Sequence, residues 1–281
     1  MQPFLAALGL LLLLTACGNT PNLRNETLPD QETRKTKLLS AVGSSSQPFI
    51  LQTSPFRLFG LRPRSLACEG RTMHLYIEGD GLSWKTRHTP SEDPTPLDPL
   101  VGRLYRMDPS TCKIYLARPC MYLHDPVCRQ YDWTAGRYSG RVIGSYRQAL
   151  NRLKARYHNR DFILIGHSGG GTIAALTAAG RHDIRHLVTL AGNLDTDAWT
   201  VLHGTAPLRG SLNPADEAAT LRTLPQTHLV GGADTNVPET VYESYRKHFP
   251  ENAPIREITY SSNTHTHGWE STWRNYLKQI H

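Results

Sequence analysis

Ser168 stands in the stretch whose residue types and spacing best suit nucleophilic chemistry, Phe162-Ile163-Leu164-Ile165-Gly166-His167-Ser168-Gly169-Gly170-Gly171-Thr172. An apolar run passes into Gly-x-Ser-x-Gly and then into the small-residue segment 173–179, the pattern of a buried strand, a sharp turn and a helix. At the tip of such a turn a hydroxyl is aimed outward, and glycines two residues before and after it avoid a collision across the bend. The amide of Gly169 would open the helix and point to where charge develops on an attacked carbonyl oxygen. A serine hydroxyl is a poor nucleophile until a base takes its proton and an acid orients that base. Asp234 is the candidate acid, in the Gly-rich loop after the strand-like run Thr227-His228-Leu229-Val230; Asp195, also just past a strand end, is its rival. The base is sought in Asn263-Thr264-His265-Thr266-His267-Gly268-Trp269. His267 is favoured there because Gly268 permits a close approach and the interval from Asp234 holds one helix and one strand, with His265 as the rival.

These side chains need a scaffold that brings distant loops together. Apolar runs at 73–77, 113–117, 162–167, 186–192, 227–230 and 255–260 read as strands, and an opening antiparallel hairpin is expected from 49–52 and 56–59. Helical spacing is found over 100–106, 141–158, 239–249 and 272–280. Strand and helix alternate, which predicts an α/β domain with a mostly parallel sheet and helices on both faces. Three polar or mixed insertions should overhang the nucleophile: 82–99 with Trp84, 118–140 with two cysteines, and 193–226 with Trp199, Leu202, Leu208 and Leu212.

The 281 residues carry a formal charge of +7 and a pI near 9.2, with neither a basic block nor aromatic-basic alternation to suggest nucleic acid. Residues 5–14 form an apolar segment too short to span a bilayer, followed by Leu14-Thr15-Ala16-Cys17. That tetrapeptide resembles a bacterial lipobox, which implies cleavage before Cys17, lipid on its sulfur and amino group and, with Gly18 next, an outer-membrane location. Residues 1–16 are then a signal peptide, 17–47 a polar tether and 48–281 the catalytic domain. Cys68, Cys112, Cys120 and Cys128 remain as an even set in an oxidising compartment. Their placement before and after adjacent strands favours 68–112 and 120–128 pairs, and their spacing does not suit a zinc site. No metal or organic cofactor is expected.

Several segments together resemble the α/β-hydrolase fold, and within it a group of proteobacterial lipoproteins of undefined substrate. They include Tyr76-Ile77-Glu78-Gly79-Asp80-Gly81, Asp93-Pro94-Thr95-Pro96, Leu116-Ala117-Arg118-Pro119-Cys120, the Ser168 segment, Ala191-Gly192-Asn193-Leu194-Asp195, Gly210-Ser211-Leu212-Asn213-Pro214 and His267-Gly268. The resemblance implies a Ser168, Asp234 and His267 triad acting on an ester carbonyl of a small or lipid-like substrate. The oxyanion would be held by the amides of Gly169 and Asp80, with Gly81 as the alternative to Asp80. This chain has Glu78-Gly79 where many such enzymes have His-Gly. Trp84, His167 and Asn193 are expected to contact substrate. The same residues would also serve acyl transfer to another acceptor or peptide hydrolysis, and the fold alone would serve binding.

Overall fold

The structure, a computed structural model, describes residues 28–280; the expected signal peptide and Cys17 lie outside them. In chain order the elements are α1 (Gln31–Val42), β1 (Ser46–Gln52), β2 (Arg57–Pro63), β3 (Thr72–Ile77), β4 (Trp84–Thr86), β5 (Thr89–Pro90), α2 (Leu100–Met107) and β6 (Lys113–Leu116). Then come α3 (Gly140–Tyr157), β7 (Asp161–His167), α4 (Gly169–Ala178), β8 (Ile184–Leu190), α5 (Thr196–Leu202) and α6 (Ala218–Leu221). The chain closes with β9 (Gln226–Gly231), α7 (Glu239–Arg246), β10 (Ile255–Tyr260) and α8 (Trp269–Ile280).

Eight strands form one sheet in the order β1-β2-β6-β3-β7-β8-β9-β10, and β4 and β5 make a separate small hairpin. The sheet is parallel from β6 to β10, with β1 and β2 added antiparallel at one edge. The side-chain period of two splits each central strand between two cores. On β3, Met73, Leu75 and Ile77 face the core shared with α3 and α4, while Tyr76 faces the one shared with α1, α2 and α8. Helix α4, behind the Ser168 turn, is buried along its whole length, which the small residues Ala174, Ala175 and Ala178 allow.

Cys68 bonds Cys112, just ahead of the neighbouring strands β3 and β6, and Cys120 bonds Cys128 beyond the far end of β6. One expectation about the fold fails. The stretch 31–47, read as tether, instead forms α1 and the start of β1. Asp30 caps α1 by accepting from the Thr33 amide at 2.7 Å, and Leu38 and Val42, one turn apart, are fully buried against α2. Leu38 occupies the space a β-carbon on Gly102 would need, so two apolar residues and a notch suffice where no longer apolar period exists.

Candidate active site

At the junction of β7 and α4, Ser168 takes φ 53° and ψ −125°, a left-handed backbone conformation unusual for a residue with a side chain. The bend closes because its flanks are bare: a β-carbon on Gly166 would strike the Gly170 carbonyl, and one on Gly170 would strike the carbonyl of Ile77 on β3. Ser168 therefore sits at the carboxyl end of the central strand, 8% exposed.

Two loops converge on it. His265, between β10 and α8, lies 3.0 Å through Nε2 from Ser168 Oγ and 2.8 Å through Nδ1 from Asp234 Oδ2. Asp234, buried beyond β9, accepts through Oδ1 from the amides of Asn236 and Val237 at 2.8 and 2.9 Å. A carboxylate that only accepts fixes the proton on His265 Nδ1, leaving Nε2 to accept from the serine hydroxyl. Ser168, His265 and Asp234 thus form a continuous hydrogen-bonded chain.

His265, not His267, occupies the base position. The turn 264–267 is closed by the Thr264 amide donating to the His267 carbonyl and the His267 amide donating to Thr264 Oγ1. The His265 carbonyl is held from below by His167 Nε2 at 2.8 Å and Trp269 Nε1 at 3.0 Å. These anchors turn the His265 ring inward, while His267 is exposed, its ring within hydrogen-bond reach of Thr264 and Thr266. Gly268 serves another purpose, since a β-carbon there would strike the Asn263 side chain. Asp195 is likewise not the acid: it caps α5 and accepts from the Ala198 amide, Asn213 Nδ2 and Ser244 Oγ.

His167, expected to touch substrate, is buried with Nε2 committed to the His265 carbonyl. Burial, followed by the neighbouring His265, lowers its pKa to about 4, so it is a neutral donor near pH 7. Asn193 is buried beside the nucleophile, its amide donating to the Ser168 carbonyl at 3.3 Å. Its Oδ1 has no partner among the described residues. Trp84 lies half-buried in the β4–β5 hairpin, paired with Pro90. Two surface hollows, of 410 and 540 Å³, are lined by residues of 36–48 and by Arg147, Arg181 and their neighbours, not by Ser168.

The amides of Gly169 and Asp80 donate to no protein acceptor among the described residues. The two residues are in contact, since a β-carbon on Gly169 would collide with the Asp80 carboxylate. That carboxylate is gripped by Arg118, by Arg137 Nε at 3.3 Å and by Tyr138 Oη at 2.9 Å. Burial alone would raise its pKa, but Arg137 and Arg118 outweigh that and hold it below the usual carboxylate range. Glu78, two residues earlier, feels Arg118 only as a minor influence; burial raises it to about 7, against hydrogen bonds from Tyr115 Oη and the Gly79 amide. Sequence reasoning placed the 118–140 insertion and the Leu116-to-Cys120 segment near the site but assigned no role to Arg118, Arg137 or Tyr138. Among the described residues no cluster of His, Cys, Asp and Glu has metal-binding geometry.

No family model and no curated protein matches the chain, but solved structures do. Est1E from Butyrivibrio proteoclasticus with ferulic acid bound superposes with a TM-score of 0.62 at 14% identity, covering 83% of this chain and 97% of that one. The Pyrococcus furiosus esterase Pf2001 gives a TM-score of 0.60 at 11% identity, over 86% of this chain and 92% of its own. An alpha-beta serine hydrolase homologue from Coxiella burnetii gives 0.55 at 15% identity, over 83% and 96%. The chain has the α/β-hydrolase fold.

Proposed function

We propose that this protein is a serine hydrolase that cleaves carboxylic esters, tied to the bacterial envelope by lipid on Cys17. The observation that carries the reading is the hydrogen-bonded run from Ser168 Oγ through His265 to Asp234, set on a strained turn beside two unengaged amides. In this mechanism Ser168 Oγ attacks the ester carbonyl as its proton passes to His265 Nε2, and Asp234 stabilises the imidazolium. The Gly169 and Asp80 amides donate to the oxyanion of the tetrahedral intermediate. Collapse expels the alcohol, which takes the proton from His265 and leaves an acyl-enzyme. Water, deprotonated by His265, then attacks the acyl carbonyl and releases the acid, returning Ser168 to its hydroxyl form. The Arg118 and Arg137 pairs supply what this chemistry requires at Asp80: its carboxylate adjoins Gly169 and would repel the oxyanion if left unneutralised.

A fluorophosphonate probe tests the reading. The folded protein should be labelled at Ser168, and Ser168→Ala should abolish both labelling and hydrolysis of p-nitrophenyl esters. A folded, unlabelled wild type would refute it.

A further inference from the structure

The outer rim of the active-site face has an unusual surface. Among the described residues five large apolar side chains are exposed: Ile50, Tyr131, Val201, Leu202 and Leu212, with Val201 at 81% and Leu202 at 52%. Ile50 lies apart on the edge strand β1, and the other four are joined by hydrogen bonds between their segments. Tyr131 Oη donates to the Arg209 carbonyl at 3.4 Å, and the Leu212 amide donates to the Tyr138 carbonyl at 3.1 Å. The Thr196 amide at the start of α5 donates to Asn213 Oδ1 at 2.9 Å, which brings Val201 and Leu202 to the same rim. Trp199 Nε1 reaches the Asn236 carbonyl at 2.8 Å, so this rim borders the loop that carries Asp234. Arg87, Arg129 and Arg209 are exposed on it too, and the Arg87 guanidinium donates to the His203 carbonyl.

The chain enters the domain on this face as well. Arg34 clamps the entry point, donating to the carbonyls of Pro29 at 2.7 Å and Thr95 at 2.6 Å, and Gln31 Nε2 donates to Asp93 Oδ1 at 3.2 Å. That loop also receives the Leu82 amide on the Pro94 carbonyl at 3.0 Å, immediately after the oxyanion residues, and Ser91 accepts from Trp133 Nε1 at 3.0 Å. Pro29 therefore lies at the carboxyl end of the sheet, with Ser168 and the apolar rim. A chain from Cys17 to Pro29 spans at most about 43 Å, close to the roughly 45 Å width of a domain of this size.

We infer that the rim of Tyr131, Val201, Leu202 and Leu212 docks on the anionic bilayer to which the tether holds the domain. Ser168 then faces the membrane, and its substrate is an ester borne by a lipid. The inference rests on the proposed hydrolase and on the Cys17 anchor. An apolar patch edged by three arginines, against the exposed carboxylate of Asp197 on α5, suits a negatively charged headgroup layer. The short tether, entering on the same face, keeps the patch against that layer instead of having to run round the domain.

The full lipidated chain, reconstituted in vesicles of phosphatidylethanolamine and phosphatidylglycerol, tests the orientation. Nitroxides placed by Leu202→Cys and Leu212→Cys should become accessible to oxygen and shielded from an aqueous nickel quencher, while one at Ile50→Cys stays aqueous. Equal aqueous exposure at all three positions, or a chain that does not float with the vesicles, overturns the inference. The double variant Val201→Asp and Leu202→Asp should slow hydrolysis of a vesicle-embedded ester about tenfold, with a short water-soluble ester changed less than twofold. Equal effects on the two substrates also overturn it. Fluorophosphonate labelling of Ser168 in the same samples reports the hydrolase reading separately: labelling that persists while the nitroxides stay aqueous sinks the docking alone.

Discussion

Two loops meet over Ser168, and they are held by opposite kinds of force. The base loop, with His265, is fixed by neutral donors: His167 Nε2 and Trp269 Nε1 on one carbonyl, and Asn263 Nδ2 on Thr272 Oγ1 at 2.9 Å. The loop of Glu78 and Asp80 is fixed by charge at Asp80, through Arg118 and Arg137, while burial raises Glu78 to about 7. The difference has a physical reason. A base must change its own charge during turnover, and neutral anchors do not bias that change, whereas an oxyanion site gains from fixed positive charge nearby. It also sets opposite pH dependences. His167, lowered to about 4, contributes stability that is present above about pH 6.5 and lost as pH falls toward 4. Glu78, raised to about 7, contributes stability that is present below about pH 4.5 and lost as pH rises through 7.

The contrast can be broken at several points. His265→Ala should have the largest effect, roughly a 10⁶-fold loss of ester hydrolysis and no fluorophosphonate labelling, with the melting temperature nearly unchanged. Next comes Arg118→Met, which removes one of the two cations on the part-buried Asp80 carboxylate and should lower stability by about 3 kcal/mol in denaturant titrations. Glu78→Gln should flatten the stability loss between about pH 4.5 and 7, a fall of up to about 3 kcal/mol in the parent. If the parent and the Glu78→Gln variant trace the same stability curve over that range, Glu78 is not the buried acid described here. The smallest effect belongs to His267→Ala, within about 0.5 kcal/mol in stability and about twofold in rate, because its ring is exposed and hydrogen-bonds to threonine hydroxyls outside the triad.

What the chain disclosed before folding follows the same division. The Ser168 turn was legible because a strained bend admits few residue types, and Asp234 because a strand end and a Gly-rich loop frame it. The choice between His265 and His267 was not, since it rests on side chains from β7 and α8 that take hold of one carbonyl, a long-range contact without local spacing. Arg118, Arg137 and Tyr138 lie in an irregular insertion with no periodicity, so only tertiary packing reveals that they converge on Asp80. Helix α1 escaped because its apolar face is two residues wide and its partner is a missing side chain at Gly102.

The Cys68–Cys112 bond and the Asp80–Arg118 pair act on the same two neighbouring strands from opposite ends. One rung is covalent, just ahead of β3 and β6; the other is ionic, just past them. Strands pinned at both ends can neither slide lengthwise nor splay, so β3 and β6 behave as a single stiff plank. The height at which Asp80 presents its amide is therefore set by the frame, and mechanical or thermal loosening should begin at the unpinned edges, β1 and β10, long before it reaches the centre.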